Sequence, residues 1–219
     1  MIAHYDWGGG REAMLRFGPA NAPVVIAAHG LFEEANRTRA FAVTLLRALA
    51  GHGIAGILPD LPGTGESLVP TVNARLGDWR DAYVAAAASA GAHFSVAIRG
   101  GALVDGGLRN RWHLAPVDGK ALTRDLVRSA RAGGEDVDIA LPGPSVTLAG
   151  NVIAREMLDE LDRARPSEAR TIRLESDPAP ADGRLPGAPL WRRAEPDNDP
   201  ALAAALADDI AEWVRACGG

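Results

Sequence analysis

The regular alternation of short apolar strands with helical segments is the feature that most constrains the fold of this chain. Residues 24–28, 54–58 and 94–98 are apolar runs of strand length, whereas residues 38–50 and 78–90 are helical in pattern. Parallel strands need crossover helices, so this alternation predicts a mostly parallel central sheet with helices on both faces. Ligands on such sheets bind at the carboxyl ends of the strands.

The rest of the chain continues the same pattern. Further strands are predicted at residues 112–115, 146–149, 171–175 and 190–193, and further helices at residues 119–131, 152–163 and 200–216. Residues 177–189 are rich in proline and glycine, which predicts a long loop. A chain of 219 residues can bury one large core, so we predict a single domain over residues 1–219.

Composition restricts the classes of partner. A hydrophobic content of 47% is typical of a globular protein, and a net charge of -5 provides no positive field for nucleic acid. Residues 1–7 do not resemble a signal peptide, and no apolar stretch approaches the roughly 20 residues of a membrane span. Cys217 is the only cysteine, so neither an internal disulfide nor a cysteine-based metal site can form. We predict a cytoplasmic protein without a membrane span, nucleic-acid partner, metal or cofactor.

Two motifs follow the first two core strands. The strand at residues 24–28 ends in His29-Gly30, and residues 60–67 read Asp-Leu-Pro-Gly-Thr-Gly-Glu-Ser. Both resemble marks of α/β-hydrolases, in which the first loop helps to build the oxyanion hole and the second is a structural turn. The resemblance implies an α/β-hydrolase fold with little or no lid domain. From the residues alone, His29 either lines a pocket or supports one by hydrogen bonding.

The third core strand leads into the segment where α/β-hydrolases carry their nucleophile. That segment has the form glycine, any, serine, any, glycine on a sharp strand-to-helix turn. Here it reads Ala97-Ile98-Arg99-Gly100-Gly101. Arg99 occupies the position of the serine, and an arginine stays protonated and cannot attack a carbonyl. A register one residue later would place Gly100 there, which is no better.

The histidine of the usual triad is also missing. It follows the last strand of the fold, which here means after about Arg193, but no histidine lies beyond His113. Asp177 could occupy the acid position, although without a base it would more simply be a surface residue or a partner for an arginine. Displaced nucleophiles at Ser67 or Ser145 are left open, although Ser145 precedes a strand and an elbow serine must follow one.

A closer resemblance rests on residues 29–39, His-Gly-Leu-Phe-Glu-Glu-Ala-Asn-Arg-Thr-Arg. This run is similar to the opening motif of the exosortase A system-associated hydrolase 2 family, and residues 99–103 resemble the arginine-bearing elbow of that family. Later segments of the family resemble residues 116–126, 148–150, 189–191 and 200–202. The similarity covers most of residues 24–214 and departs at Gly30, where a proline is common. It implies a protein partner in a bacterial exopolysaccharide or PEP-CTERM protein-sorting system.

The candidate site residues lie on the loops that follow the core strands. We predict that Glu33 or Glu34 pairs with Arg99, because a buried guanidinium is costly unless a carboxylate compensates it. The alternative is a solvated helix start, with acidic residues first and basic residues further on. The predicted pocket or ligand-binding residues are His29, Gly30, Glu33, Glu34, Asn36, Arg39, Arg99, Gly100 and Asp177.

Three functions follow from these residues. The first is a hydrolase relative without catalysis that binds a small anionic or acyl ligand, or a partner of the polysaccharide and sorting system. The second is a hydrolase or acyl-transfer enzyme in which Arg99 binds an anion and His29, Glu33 or Glu34 acts as general acid or base. The third is an esterase with a displaced serine. An unpaired Arg99 facing a pocket would favour an anion site, and a sealed carboxylate pair would favour a structural role.

Overall fold

An eight-stranded sheet forms the centre of the molecule in the computed structural model, which describes residues 1–139, 142–193 and 195–218. An antiparallel hairpin of β1 (Ile2–Trp7) and β2 (Gly10–Phe17) precedes β3 (Val24–Ala28), β4 (Ala55–Pro59), β5 (Ala92–Ile98), β6 (Asn110–Leu114), β9 (Arg170–Leu174) and β10 (Gly183–Leu185). The strand order is β1-β2-β4-β3-β5-β6-β9-β10. All pairs from β4 to β10 are parallel, which confirms the predicted mostly parallel sheet.

Helices cover both faces of the sheet, as predicted. They are α1 (Glu33–Gly51), α2 (Leu76–Ala90), α3 (Gly119–Ala132), α4 (Arg155–Arg163) and α5 (Pro200–Cys217). Helices α1 and α5 pack on one face, through side chains such as Leu45 and Ile210. The other face is covered by α2, α3 and α4, with Trp79, Leu122 and Leu161 in the core. None of the helices in the described residues has the length and apolar character needed to cross a membrane.

The segment between β6 and β9 differs from the prediction. The predicted helix over residues 152–163 is wrong in its first turn, because β7 (Ser145–Leu148) and β8 (Asn151–Ala154) form a separate antiparallel hairpin and α4 begins only at Arg155. The two turn residues, Ala149 and Gly150, have φ values of 48° and 76°. Successive positive φ values match the right-handed twist of a tight hairpin. In the described residues between β6 and β9, this hairpin and the helices α3 and α4 are the regular elements.

Two other predictions need correction. The segment expected to be a strand at residues 190–193 instead contains a 3-10 helix, Leu190–Arg192. A run this short has no periodicity that distinguishes a strand from a helix. The predicted loop over residues 177–189 contains the short edge strand β10. The N-terminal hairpin was not predicted at all, and it extends the sheet through antiparallel pairing of β2 with β4.

Candidate functional site

A sharp turn at Arg99 connects β5 to a 3-10 helix, Arg99–Leu103, at the carboxyl end of the parallel strands. Arg99 has a φ of 55°, a left-handed conformation that costs a non-glycine residue on the order of 1 kcal/mol and is typical of functional sites. A Cβ atom on Gly101 would lie 2.4 Å from the carbonyl oxygen of Ala28 and 2.6 Å from that of His29. Glycine is therefore required for β3 and the turn to approach this closely.

The Arg99 side chain is buried, at 7% exposure, and contacts two carboxylates. Its Nε and Nη2 atoms each lie 2.9 Å from Oε1 of Glu34, and Nη2 also donates to Oδ2 of Asp125 at 2.9 Å. The guanidinium carbon lies 5.0 Å from the centre of the Trp191 ring. The predicted pairing is confirmed for Glu34, at the start of α1. We call Arg99, Glu34, Asp125 and Trp191 the Arg99 cluster.

Glu34 depends on Arg99 for compensation of its charge. Burial raises the pKa of this carboxyl, and the guanidinium of Arg99 acts in the opposite direction. The backbone amide of Gly100 acts in the same direction as Arg99, but burial is the larger effect, so the Glu34 pKa stays raised. Within residues 1–139, 142–193 and 195–218, the second oxygen, Oε2, has no hydrogen-bond partner. A buried carboxylate with one free oxygen would be costly without the cation beside it.

A cleft of about 390 Å³ opens above the Arg99 cluster. Its apolar lining includes Leu122, Leu126 and Trp191, and its acidic lining is Glu33, Glu34 and Asp125. Four arginines complete the charged lining: Arg37, Arg128, Arg192 and Arg193. The cleft therefore combines an apolar wall with a small excess of positive charge, in a protein whose net charge is -5.

The four cleft arginines differ in how far they are already bound. Arg37 contacts Glu33 at 3.1 Å and donates to Ser129 Oγ and to the Trp191 carbonyl. Arg193 pairs with Asp197. Arg128 is 74% exposed and makes one contact, to Asp125 at 2.9 Å. The exposed Arg192 side chain makes no hydrogen bond or ion pair in the described part of the chain. Arg128 and Arg193 are each held by one acid, but Arg128 is 74% exposed and Arg193 33%. Arg192 and Arg128 are therefore the most accessible cations of the cleft.

Several predicted pocket residues lie outside this cleft. Asn36 is exposed and donates to Glu33, and Arg39 pairs with Asp60 at 2.8 Å. Asp177 accepts hydrogen bonds from Arg173 at 2.6 Å and from the amide of Ala179 at 3.0 Å. Although partial burial opposes them, these two contacts lower the Asp177 pKa.

None of these three side chains lines the cleft, which corrects their predicted placement. Gly100 is buried beneath the cleft, where a Cβ would meet Leu122 at 3.1 Å.

His29 and Gly30 line a separate cavity of about 20 Å³, together with Tyr83 and Thr64. Nδ1 of His29 lies 2.7 Å from the Gly30 carbonyl oxygen, to which it donates in the neutral form. The Gly30 amide donates to Thr38 Oγ1 at 3.1 Å, and a side chain on Gly30 would collide with Glu34. The predicted grouping of His29 with Glu33 and Glu34 in one pocket is therefore not what the structure shows.

His29 should make stability depend on pH. Burial lowers the pKa of His29 to about 4, and Arg39 adds to this effect, whereas an unfolded histidine titrates near 6.5. Between these values the unfolded chain binds a proton that the folded protein does not, so stability falls as the pH drops from about 6.5 towards 4. Urea denaturation measures the unfolding free energy of wild type minus that of His29→Asn. This difference should decrease by about 1 to 3 kcal/mol when the pH is lowered from about 7 to about 4.5.

The exposed His4 provides the control, since His4→Asn should follow wild type across this range. Identical pH profiles for wild type and His29→Asn would contradict the prediction.

A serine, an aspartate and a histidine also meet inside the protein, which the sequence did not indicate. Asp105 Oδ2 accepts from Ser95 Oγ at 2.9 Å and contacts His113 Nε2 at 2.8 Å. Tyr83 Oη lies 2.8 Å from Ser95 Oγ and donates to the Ile26 carbonyl. In a catalytic triad the histidine lies between the serine and the acid, but here the acid lies in the middle. All four side chains are buried. Tyr83 belongs to α2 and Ser95 to β5, so this network connects the sheet to α2.

Three solved structures illustrate the similarity of this fold to known proteins. Est1E from Butyrivibrio proteoclasticus, solved with ferulic acid bound, has a TM-score of 0.63 at 14% identity, with 97% of each chain covered. A loop variant of haloalkane dehalogenase DbeA from Bradyrhizobium elkanii has a TM-score of 0.61 at 14% identity, covering 99% of this chain and 96% of the other. Epoxide hydrolase A from Mycobacterium thermoresistibile has a TM-score of 0.58 at 17% identity and 98% coverage of each chain.

Neither a family model nor a curated protein sequence matches the chain. Structural similarity at these identities establishes the fold, and the sheet order and the turn at Arg99 agree with it. The chain has the α/β-hydrolase fold.

Proposed function

We propose that this protein binds a small anionic or acyl ligand in the cleft above Arg99 and does not use the serine–histidine mechanism of its fold. The Arg99 cluster argues against the serine–histidine mechanism and favours a structural role for Arg99 itself, whereas the charged cleft above it carries the binding proposal. The side chain at the nucleophile position is a buried cation held by Glu34 and Asp125. A guanidinium in this state is neither a nucleophile nor a free anion-binding group.

Trp191 supports the same conclusion from the other side of the site. In α/β-hydrolases the nucleophile lies at the strand-to-helix turn and the histidine follows the last strand. Here the segment after β10 contributes Trp191, and the guanidinium carbon of Arg99 lies 5.0 Å from the centre of its ring. An indole N–H only donates hydrogen bonds and cannot accept a proton from a nucleophile. Neither Arg99 nor Trp191 has the side-chain chemistry of a nucleophile or a general base, which supports the proposal.

The alternative enzymatic proposals receive no support from the geometry. Glu33 and Glu34 are each paired with an arginine, and His29 lies in the other cavity.

Ser67 accepts a hydrogen bond from the Gly63 amide and donates one to Glu12 at 3.0 Å, so its hydroxyl belongs to the turn. Ser145 is part of the β7–β8 hairpin. No histidine contacts either serine in the described ranges.

The size and charge of the cleft support a small anion as its ligand. A volume of about 390 Å³ lies in the range of small-molecule sites. Arginines outnumber acids in the lining, which favours negative charge in a protein that is acidic as a whole. The sequence resemblance to exosortase A system-associated proteins adds the proposal that the ligand or a protein partner belongs to an exopolysaccharide or protein-sorting system.

The absence of serine hydrolase chemistry is directly testable. The purified protein should hydrolyse p-nitrophenyl esters no faster than its Arg99→Ala variant, and a fluorophosphonate probe should leave it unlabelled, because no serine lies at the turn. A serine esterase measured in parallel validates both assays. Stoichiometric labelling that disappears in Ser67→Ala or Ser145→Ala would identify a displaced nucleophile and overturn the proposal.

A further inference from the structure

We propose that the cleft ligand is an amphipathic monocarboxylate, whose carboxylate contacts Arg128 and Arg192 and whose apolar part lies against Leu122, Leu126 and Trp191. This inference rests on the proposed binding function and specifies its ligand class. It assigns a role to two arginines that neither the sequence analysis nor the Arg99 cluster uses.

The available hydrogen-bond donors determine where a carboxylate would bind. Arg99 is buried and shared between two acids. Both terminal nitrogens of Arg37 have acceptors, and its remaining donor, Nε, is buried. Arg193 is held by one acid, Asp197, as Arg128 is by Asp125, but its side chain is 33% exposed against 74% for Arg128. Arg192 is exposed with no acceptor in the described residues, and Arg128 uses only Nη1, on Asp125. A guanidinium binds a carboxylate through two parallel N–H groups, so these two arginines provide the head-group site.

The charge of the cleft matches one negative charge. Its four arginines and three acids leave an excess of one cation. Arg99, beneath the cleft, adds a second positive charge. Asp197, the partner of Arg193, adds one negative charge, so the excess is again one positive charge. A dianionic group has one negative charge more than this excess compensates. Glu33 and Asp125 would repel that second charge. The balance therefore favours a carboxylate over a phosphate monoester.

The apolar wall defines the other end of the ligand. Leu122 and Leu126 lie one turn apart on α3 and line the cleft together with Trp191. One face of the indole ring is already in contact with Arg99. Leu122, Leu126 and Trp191 are themselves 0%, 2% and 8% exposed. A short hydrocarbon or aromatic group lying on them would therefore gain mainly by removing its own apolar surface from water, while its carboxylate stays at the exposed arginines.

Isothermal titration calorimetry with octanoate, butanoate, octanol and octylamine tests this assignment. Wild type should bind octanoate about tenfold more tightly than octanol, because a charge-assisted hydrogen bond contributes about that factor, and octylamine should bind more weakly than octanol. Butanoate should bind more weakly than octanoate, since it has less apolar surface of its own to remove from water. Arg128→Gln and Arg192→Gln should each weaken octanoate binding towards that of octanol and leave octanol unchanged.

Arg109→Gln is the matched control, because Arg109 is exposed and lines a different surface depression. It should bind every probe as wild type does. Unchanged thermal unfolding of the glutamine variants would establish that they fold.

Equal affinity for octanoate and octanol, or octanoate binding that survives both arginine substitutions, would overturn the carboxylate assignment and leave the proposed binding function standing. Equal affinity for butanoate and octanoate would overturn the assignment of the apolar wall. Absence of binding by all four probes would overturn the binding function together with this inference.

Discussion

Replacing Arg99 with alanine should lower the free energy of unfolding by about 3 to 5 kcal/mol, the range for removing one partner of a buried ion pair. Glu34 would lose its ion-pair partner, and its Oε2 atom already lacks a partner in the described residues. Asp125 would retain Arg128, so Glu34 should account for most of the loss. Alanine is the informative replacement, because glycine would also relieve the positive φ at this position.

A double-mutant cycle in urea isolates the pair. Arg99→Ala and Glu34→Gln should be coupled by about 0.5 to 3 kcal/mol, because the two side chains are in direct contact. Arg128→Ala is the matched control, since this arginine also contacts Asp125 but is 74% exposed, and its loss should be about 0 to 1 kcal/mol. Additive losses below about 1 kcal/mol for Arg99 and Glu34 would remove the buried pair as a stabilising element and weaken the proposal built on it.

Replacing Gly101 with alanine should be similarly severe, with a loss of about 3 kcal/mol, the upper end of the range for overpacking. The added Cβ would lie within 2.6 Å of two backbone oxygens, those of Ala28 and His29. Backbone atoms cannot rotate away as a side chain can, so β3 and the turn after β5 would have to separate. The same displacement would move Arg99 away from Glu34.

The corresponding control is Gly77→Ala. Gly77 lies in α2, and a Cβ there would meet no atom within 4 Å. This change should be neutral or stabilising by up to about 1 kcal/mol, because alanine favours the helix and restricts the unfolded chain. Urea denaturation of both variants measures the contrast. A Gly101→Ala protein within about 0.5 kcal/mol of wild type would show that the strand and the turn do not approach as closely as described.

The sequence alone was sufficient for the fold class and for the character of residue 99. Apolar runs such as residues 24–28 and 94–98 are short-range patterns, and parallel strands of this kind require covering helices. The need for a carboxylate beside Arg99 also follows without coordinates, because a buried guanidinium must be compensated. Both conclusions depend on local pattern or on the chemistry of one residue.

Only the tertiary structure decided which side chains surround Arg99. Glu33 and Glu34 are neighbours in sequence, but successive residues point in different directions on a helix, and the packing of α1 turns Glu34 towards the core. Asp125 and Trp191 are 26 and 92 positions away from Arg99, on elements whose orientation no local periodicity records. The packing of helices and loops on the sheet therefore determined which residues form the cluster, and it placed Asn36, Arg39 and Asp177 elsewhere.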